Sequence, residues 1–138
     1  MEWINKTGFS EYFIMLGEKH NVPEYMSAMD IFCLSSITEG FPNVVGEAMA
    51  SELPCVVTCV GDVQNITGNN AILVQPKNTD SLSKGLCEML DMNIEKRKRM
   101  GSKGRKKIET DYPINLICEK YYNLYSLIAS GENSYENI

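Results

Sequence analysis

Glu39 and Glu47 stand on either side of the stretch Gly40-Phe41-Pro42-Asn43-Val44-Val45-Gly46, in which a Gly-Pro-containing turn opens into a helix. Apolar runs flank this unit, Asp30 to Ser35 before it and Pro54 to Thr58 after it. A strand, a tight turn and a helix N-terminus are the parts of an anion site in an open α/β sheet. The N–H groups that follow Gly40 have no partner inside the helix and can face a phosphate. Gly40 lets the backbone approach a ligand closely. Phe41, Asn43 and Val44 each offer an N–H, whereas Pro42 offers none and suits the first helical turn. A helix-borne carboxylate such as Glu47 can accept two sugar hydroxyls at once. Each residue also has a plainer reading. Glu39 is then a loop acid, Glu47 a solvent-facing helix glutamate, Phe41 a packing residue, and the helix start is bonded to water.

The surrounding elements follow from apolar periodicity. Tyr12 to Leu16 is a short apolar run ending at Gly17, which predicts a buried strand. The loop Gly17-Glu18-Lys19 after it would then lie at a strand's carboxyl end, where a nucleobase can be walled. Pro23 to Met29 suits a helix, Ile31 to Leu34 a strand, and Asn43 to Ser51 the helix carrying Glu47. Cys55 to Thr58 and Ala71 to Val74 read as further strands, with Asp62 as a helix cap before Val63 to Thr67. Thr79 to Asp91 reads as an amphipathic helix with Leu82, Leu86, Met89 and Leu90 inward. Ile94 to Thr110 reads as a basic helix broken near Gly101 and Gly104. Pro113 to Ile128 is the last helix, with Ile114, Ile117, Tyr121, Leu124 and Ile128 on one apolar face. Strand–helix alternation with apolar strands predicts an α/β domain: a parallel, Rossmann-like sheet of about four strands with helices on both faces. Residues 1–10 are a lead-in, 11–130 the domain, and 131–138 a polar tail expected to be disordered.

The totals narrow the function classes. The chain has 138 residues, 43% of them hydrophobic and 22% charged, values typical of one soluble globular domain. Five cysteines are odd in number and form no Cys-x-x-Cys pair. Reduced cysteines in a cytoplasmic protein fit better than a disulfide framework or a zinc site, and Cys33 and Cys55 fall in expected buried strands. No histidine cluster or Asp-x-Asp points to a metal, and His20 is the only histidine. No apolar run has the length of a membrane span. The net charge is −5, yet eight of the 13 basic residues lie between Lys96 and Lys107. Such a patch is either a solvated helix face or a contact for phosphates or an anionic membrane surface. No aromatic residue interleaves with it, which argues against single-stranded nucleic acid, and no nucleic-acid partner is expected.

The ordered set Glu39-Gly40-Phe41-Pro42-Asn43, Glu47-Ala48-Met49-Ala50 and Pro54-Cys55-Val56-Val57-Thr58 resembles the signature of group 1 (family 4) retaining glycosyltransferases of the GT-B fold. Val22-Pro23-Glu24, Met29 to Leu34, Val60-Gly61-Asp62 and Ile72 to Pro76 extend the resemblance, which runs from roughly Phe13 to Tyr125. The resemblance implies transfer of a sugar from a nucleotide-diphosphate sugar in polysaccharide, lipopolysaccharide or glycolipid assembly, without metal or other cofactor. It places Glu39 beside the donor sugar as the catalytic-region acid. Gly40, Phe41, Pro42, Asn43 and Val44 address sugar and diphosphate, Glu47 the ribose, and Gly17, Glu18 and Lys19 the base by backbone contacts. Ser36 matches a motif position and reads as structural.

The same resemblance implies that the acceptor-binding domain and the first donor-domain strands, with their basic diphosphate-holding pair, are not in this chain. The 138 residues are therefore expected to be the later part of a donor domain, not competent for transfer alone. The rival class is a non-catalytic split or truncated module that binds a nucleotide weakly or a partner subunit, with homodimerisation through the last helix as one form. A nucleotide-sugar epimerase of the same architecture lacks its clustered acids and histidines here, and a response-regulator domain lacks its early acidic pair. Glu52 stands where relatives usually carry a left-handed Gly, at an expected cost of roughly 1 kcal/mol. Cys59 stands where close relatives often carry Asp.

Overall fold

The computed structural model describes residues 2–130. The expected tail at 131–138 lies outside the described residues. Among these, three strands form one parallel sheet in the order β1 (Phe32–Leu34), β2 (Cys55–Thr58), β3 (Ala71–Val74). The register pairs Phe32 with Cys55 and Cys55 with Ala71. Seven α-helices complete the described chain: α1 (Glu2–Lys6), α2 (Val22–Ser27), α3 (Asn43–Ala50), α4 (Val63–Thr67), α5 (Thr79–Asp91), α6 (Ile94–Asp111) and α7 (Ile114–Ser130).

All four residues of β2 are buried, and their alternation sorts the core into two layers. Cys55 and Val57 pack with Val45, Ala48 and Met49 of α3 and with Val63 and Ile66 of α4. Val56 faces the other way, onto Val74, Met89 and the half-buried Leu82 and Leu86 of α5. Helices thus cover both faces, as the unbroken apolar strands required. Burial pushes the Cys55 thiol up to about 12, so it stays protonated and donates to the Leu53 carbonyl at 3.2 Å. Asn78 caps α5 and Asn93 caps α6, each side-chain oxygen accepting a backbone N–H at 2.9 Å.

Four expectations are corrected. Tyr12–Leu16 is not a strand: a 3-10 turn at Ser10–Tyr12 leads into irregular backbone, with exposure running from 46% at Leu16 to 82% at Ile14. A strand needs a neighbour for its N–H and C=O groups, and no described strand pairs with this run. Cys33 is exposed, because β1 is an edge strand of the described sheet and α5 packs chiefly on β2 and β3. Leu90 is exposed, lying roughly a quarter-turn round α5 from the face formed by Leu82, Leu86 and Met89. Gly85 lies on the other side of that face and is buried against the sheet, where a Cβ would sit 2.5 Å from Val74. Finally, α6 runs unbroken through Gly101 and Gly104, both buried against α3 and the turn after it.

Glu52 adopts the left-handed conformation, φ 60°, that its position was expected to demand. Its carboxylate lies 3.8 Å from Arg105, but both side chains are about half exposed, so the pair adds little. Glu52→Gly is expected to raise stability by about 0.5–1 kcal/mol, seen as a higher urea midpoint with unchanged slope. A lower midpoint would show that the ion pair outweighs the backbone strain.

Candidate active-site turn

The turn between β1 and α3 sits at the carboxyl end of the sheet, and three contacts hold it. The Ser36 hydroxyl donates to Oε1 of Glu39 at 2.7 Å, fixing one carboxylate oxygen. The Thr58 hydroxyl, at the end of β2, donates to the Ser36 carbonyl at 2.7 Å and so anchors that residue to the sheet. The Asp62 N–H donates to the Gly40 carbonyl at 2.9 Å. Beneath this contact Gly61, at φ +52°, lies so close that a Cβ would sit 2.3 Å from the carbonyl oxygens of both Glu39 and Gly40. Glu39 is half-buried as a result, whereas Gly40 is exposed.

Helix α3 opens immediately afterwards. Pro42 is buried and extended (φ −75°, ψ 91°), so it precedes the helix as its N-cap rather than starting the first turn. It supplies no side-chain cap, and no acidic residue occupies that turn. Val45 N–H donates back to the Pro42 carbonyl at 3.0 Å, while the N–H groups of Asn43 and Val44 meet no acceptor among the described residues. Free N–H groups at a positive helix end favour an anion. Val45, Ala48 and Met49 turn into the core, leaving Asn43, Glu47 and Ala50 on one exposed face at helical spacing. The Glu47 carboxylate has no hydrogen-bond or ion-pair partner among the described residues, so both oxygens are open to a ligand.

Phe41 is half exposed and packs edgewise on Tyr112, ring centroids 5.8 Å apart, in agreement with a packing role. It belongs to a cavity of about 440 Å³ between α3, α6 and α7, lined also by Asn43, Gly46, Ile108, Tyr112 and Tyr121. Neither Glu39 nor Glu47 lines that cavity. Gly17, Glu18 and Lys19 are exposed, and no hydrogen bond joins them to the turn. The Lys19 ammonium lies instead 5.9 Å from the Tyr25 ring of α2. Asp62 precedes α4 as expected, but it caps no backbone N–H; its carboxylate accepts from the Asn65 side chain at 3.1 Å.

Sequence reasoning missed the parts that hold the turn. Ser36 was read as structural without its bond to the Glu39 carboxylate, Thr58 was placed only as a strand end, and Gly61 only as part of the segment Val60-Gly61-Asp62. A hydroxyl ending the otherwise apolar run of β2 was the available signal for Thr58.

A three-stranded parallel sheet with helices on both faces, and an uncapped helix start at its carboxyl end, defines a Rossmann-like α/β domain. The chain matches the family described as glycosyl transferases group 1 over residues 1–107, and it belongs to that family. An α-1,3-galactosyltransferase of Escherichia coli, which uses UDP-Gal and α-D-GlcNAc-diphosphoundecaprenol, is 30% identical over 123 residues, covering 81% of this chain and 29% of that protein. An uncharacterised glycosyltransferase of Haemophilus influenzae is 37% identical over 105 residues, 74% of this chain and 29% of that one. Thus the chain spans less than a third of the length of these relatives. Among solved structures, sucrose-phosphate synthase of Thermosynechococcus elongatus superposes with a TM-score of 0.87 at 20% identity, over 95% of this chain and 34% of that one. Anabaena HepE, solved with UDP, gives 0.84 at 21% identity over 91% and 35%. These likenesses bear out the α/β, GT-B fold, with three described strands in place of about four.

Proposed function

We propose that this chain forms the donor-binding wall of a group 1 glycosyl transferase. In this reading the enzyme moves a sugar from a nucleotide-diphosphate donor to an acceptor of polysaccharide, lipopolysaccharide or glycolipid assembly, with retention at the anomeric carbon, on the cytoplasmic side. The observation that supports it most is the uncapped first turn of α3, four residues after Glu39 and four before Glu47. Its free N–H groups at Asn43 and Val44 take the diphosphate, which gathers negative charge as the bond to the anomeric carbon breaks. Glu39, steadied by Ser36, faces the sugar and stabilises positive charge at that carbon. Gly40, Phe41 and Pro42 shape the backbone around sugar and diphosphate, Glu47 accepts the ribose hydroxyls, and the backbone of Gly17, Glu18 and Lys19 walls the base. No step of this scheme is assigned to a metal. Support from relatives is of one kind: the E. coli enzyme uses UDP-Gal, and HepE was solved with UDP-glucose.

The test is an NMR titration with UDP, GDP and ADP. One nucleotide is expected to shift the amides from Gly40 to Glu47. Glu47→Ala should weaken it roughly 10- to 100-fold, as expected for losing hydrogen bonds to a charged acceptor. No shift at millimolar nucleotide, or an unchanged affinity in the variant, would remove the assignment. The scheme also requires an acceptor-bearing second wall, so the 138 residues alone should transfer no sugar, and measurable turnover by them would refute that part.

The exposed stripe of α7 favours a second reading, a module that docks on a partner subunit or on itself. Ile114, Tyr121 and Ile128 are more than half exposed, and no residue of α7 is buried. A monomer by light scattering at high concentration, with α7 amides well protected from exchange, would count against it.

A further inference from the structure

The acidic chain carries one strongly basic surface, and the structure separates its cations into used and unused ones. Eight of the 13 Lys and Arg residues lie in α6. Arg97 turns inward, donating to the carbonyls of Leu90 and Met92 at 3.1 and 3.0 Å and so closing the end of α5. Arg105 pairs with Glu109, and Lys107 with Asp111. By contrast, Lys96, Lys98, Arg99, Lys103 and Lys106 are exposed and have no ion-pair partner among the described residues. Lys98 lies on another side of α6, beside Ser27 and Leu53, whereas Lys96, Arg99, Lys103 and Lys106 recur at steps of three and four and form a single outward stripe about 15 Å long.

We propose that this stripe is a docking surface for an anionic phospholipid bilayer. Charge is the first argument: four free cations line up without an acid among them, on a chain whose net charge is −5. Such a row is costly to hold together in solution and gains most from an extended sheet of negative headgroups. The second argument is a groove of about 470 Å³ beside the stripe, lined by Lys96, Arg99, Lys103, Asn69, Met92 and Met100. The cations and the exposed Asn69 amide offer donors to a phosphate, and the half-buried thioethers of Met92 and Met100 offer an apolar floor. That combination suits an amphiphile better than a fully polar ligand. No aromatic side chain lines the groove, so bases would find no stacking platform. Among the described residues no helix is long and apolar enough to cross a membrane. The surface is independent of the nucleotide site, since it is built from α6 and the α4–β3 loop rather than from the turn before α3.

Co-sedimentation of the full chain with phosphatidylcholine vesicles, with and without phosphatidylglycerol, tests this. Binding is expected only with the anionic lipid and should fall steeply with salt. Each single change among K96Q, R99Q, K103Q and K106Q should weaken it about fivefold, and the quadruple change more than roughly a hundredfold. A control with K77Q, K84Q, K98Q and K120Q loses the same charge elsewhere and should keep most of the binding. Equal loss in the control would overturn the proposal, as would equal binding to neutral vesicles or no binding at all. Displacement by millimolar inorganic phosphate would reassign the stripe to a small-anion site. Retention on RNA in preference to vesicles would reassign it to nucleic acid. All four side chains are exposed, so unchanged circular dichroism is expected in every variant and serves as the folding check.

Discussion

Gly101→Ala is expected to destabilise the domain by about 3 kcal/mol, a large share of the 5–15 kcal/mol that holds a typical domain together. The reason is a backbone-on-backbone approach. A Cβ at position 101 would sit 1.8 Å from the carbonyl oxygen of Glu52 and 2.7 Å from its carbonyl carbon. Neither atom belongs to a side chain that can rotate away, so α6 must lift from the end of α3. Lifting it also loosens the seats of Met49, Gly104 and Ile108 along the same helix pair. Helix propensity works in the other direction, favouring Ala over Gly by about 1 kcal/mol, and is too small to compensate. Gly104→Ala supplies the contrast: its Cβ would meet Met49 Cε at 3.5 Å, an ordinary contact with a flexible side chain. That variant should be neutral or gain up to about 1 kcal/mol. Urea denaturation of both variants checks the pair. Similar midpoints would mean that the close approach at Glu52 relaxes at little cost.

This contrast bears on what was legible in the chain itself. Strands β2 and β3 and helices α3 and α5 were placed within a residue or so, because burial on both faces or on one stripe writes itself into local periodicity. The features that were misplaced depend on residues far away in sequence. Gly101 looked like a helix breaker because its partner, Glu52, lies across another helix. Tyr12–Leu16 has the composition of a strand, but pairing belongs to two segments, and no described strand is its neighbour. Cys33 shares the apolar run of β1, yet only the sheet order reveals that its face is uncovered. At the candidate site the same division holds. The turn and its two acids were visible as a motif, and the structure leaves Glu47 exposed and the first N–H groups of α3 without an acceptor among the described residues. The support from Thr58 and Gly61 was not visible, because it joins segments far apart in sequence through geometry that leaves no periodic trace, and the Ser36–Glu39 bond, though local, depends on side-chain orientation within an irregular turn.

Gly61→Ala should strongly weaken nucleotide binding at the turn, while Gly40→Ala separates the demands of the fold from those of the ligand. At Gly61 the added Cβ would lie 2.3 Å from two backbone oxygens, in a residue already at φ +52°. The Glu39–Gly40 segment must then move by an ångström or more, breaking the Asp62 N–H bond to the Gly40 carbonyl and shifting the acid that Ser36 steadies. A displacement of that size is enough to cost roughly a hundredfold at a site that depends on orientation. The strained turn also lowers stability, by about 1–3 kcal/mol, so a loss of binding at Gly61 alone would be ambiguous. Gly40 resolves it. A Cβ there meets nothing within 4 Å, and its φ is not positive. The fold therefore has no need of glycine at position 40, and Gly40→Ala should leave the urea midpoint within about 0.5 kcal/mol of the parent. If a nucleotide sugar lies against that backbone, the same methyl group occupies the ligand's space and should weaken donor binding at least tenfold. Unchanged stability with reduced affinity would identify position 40 as a ligand contact. Unchanged stability with unchanged affinity would show that the donor passes elsewhere, and would take the sugar-facing role away from Gly40 and from the turn that presents it.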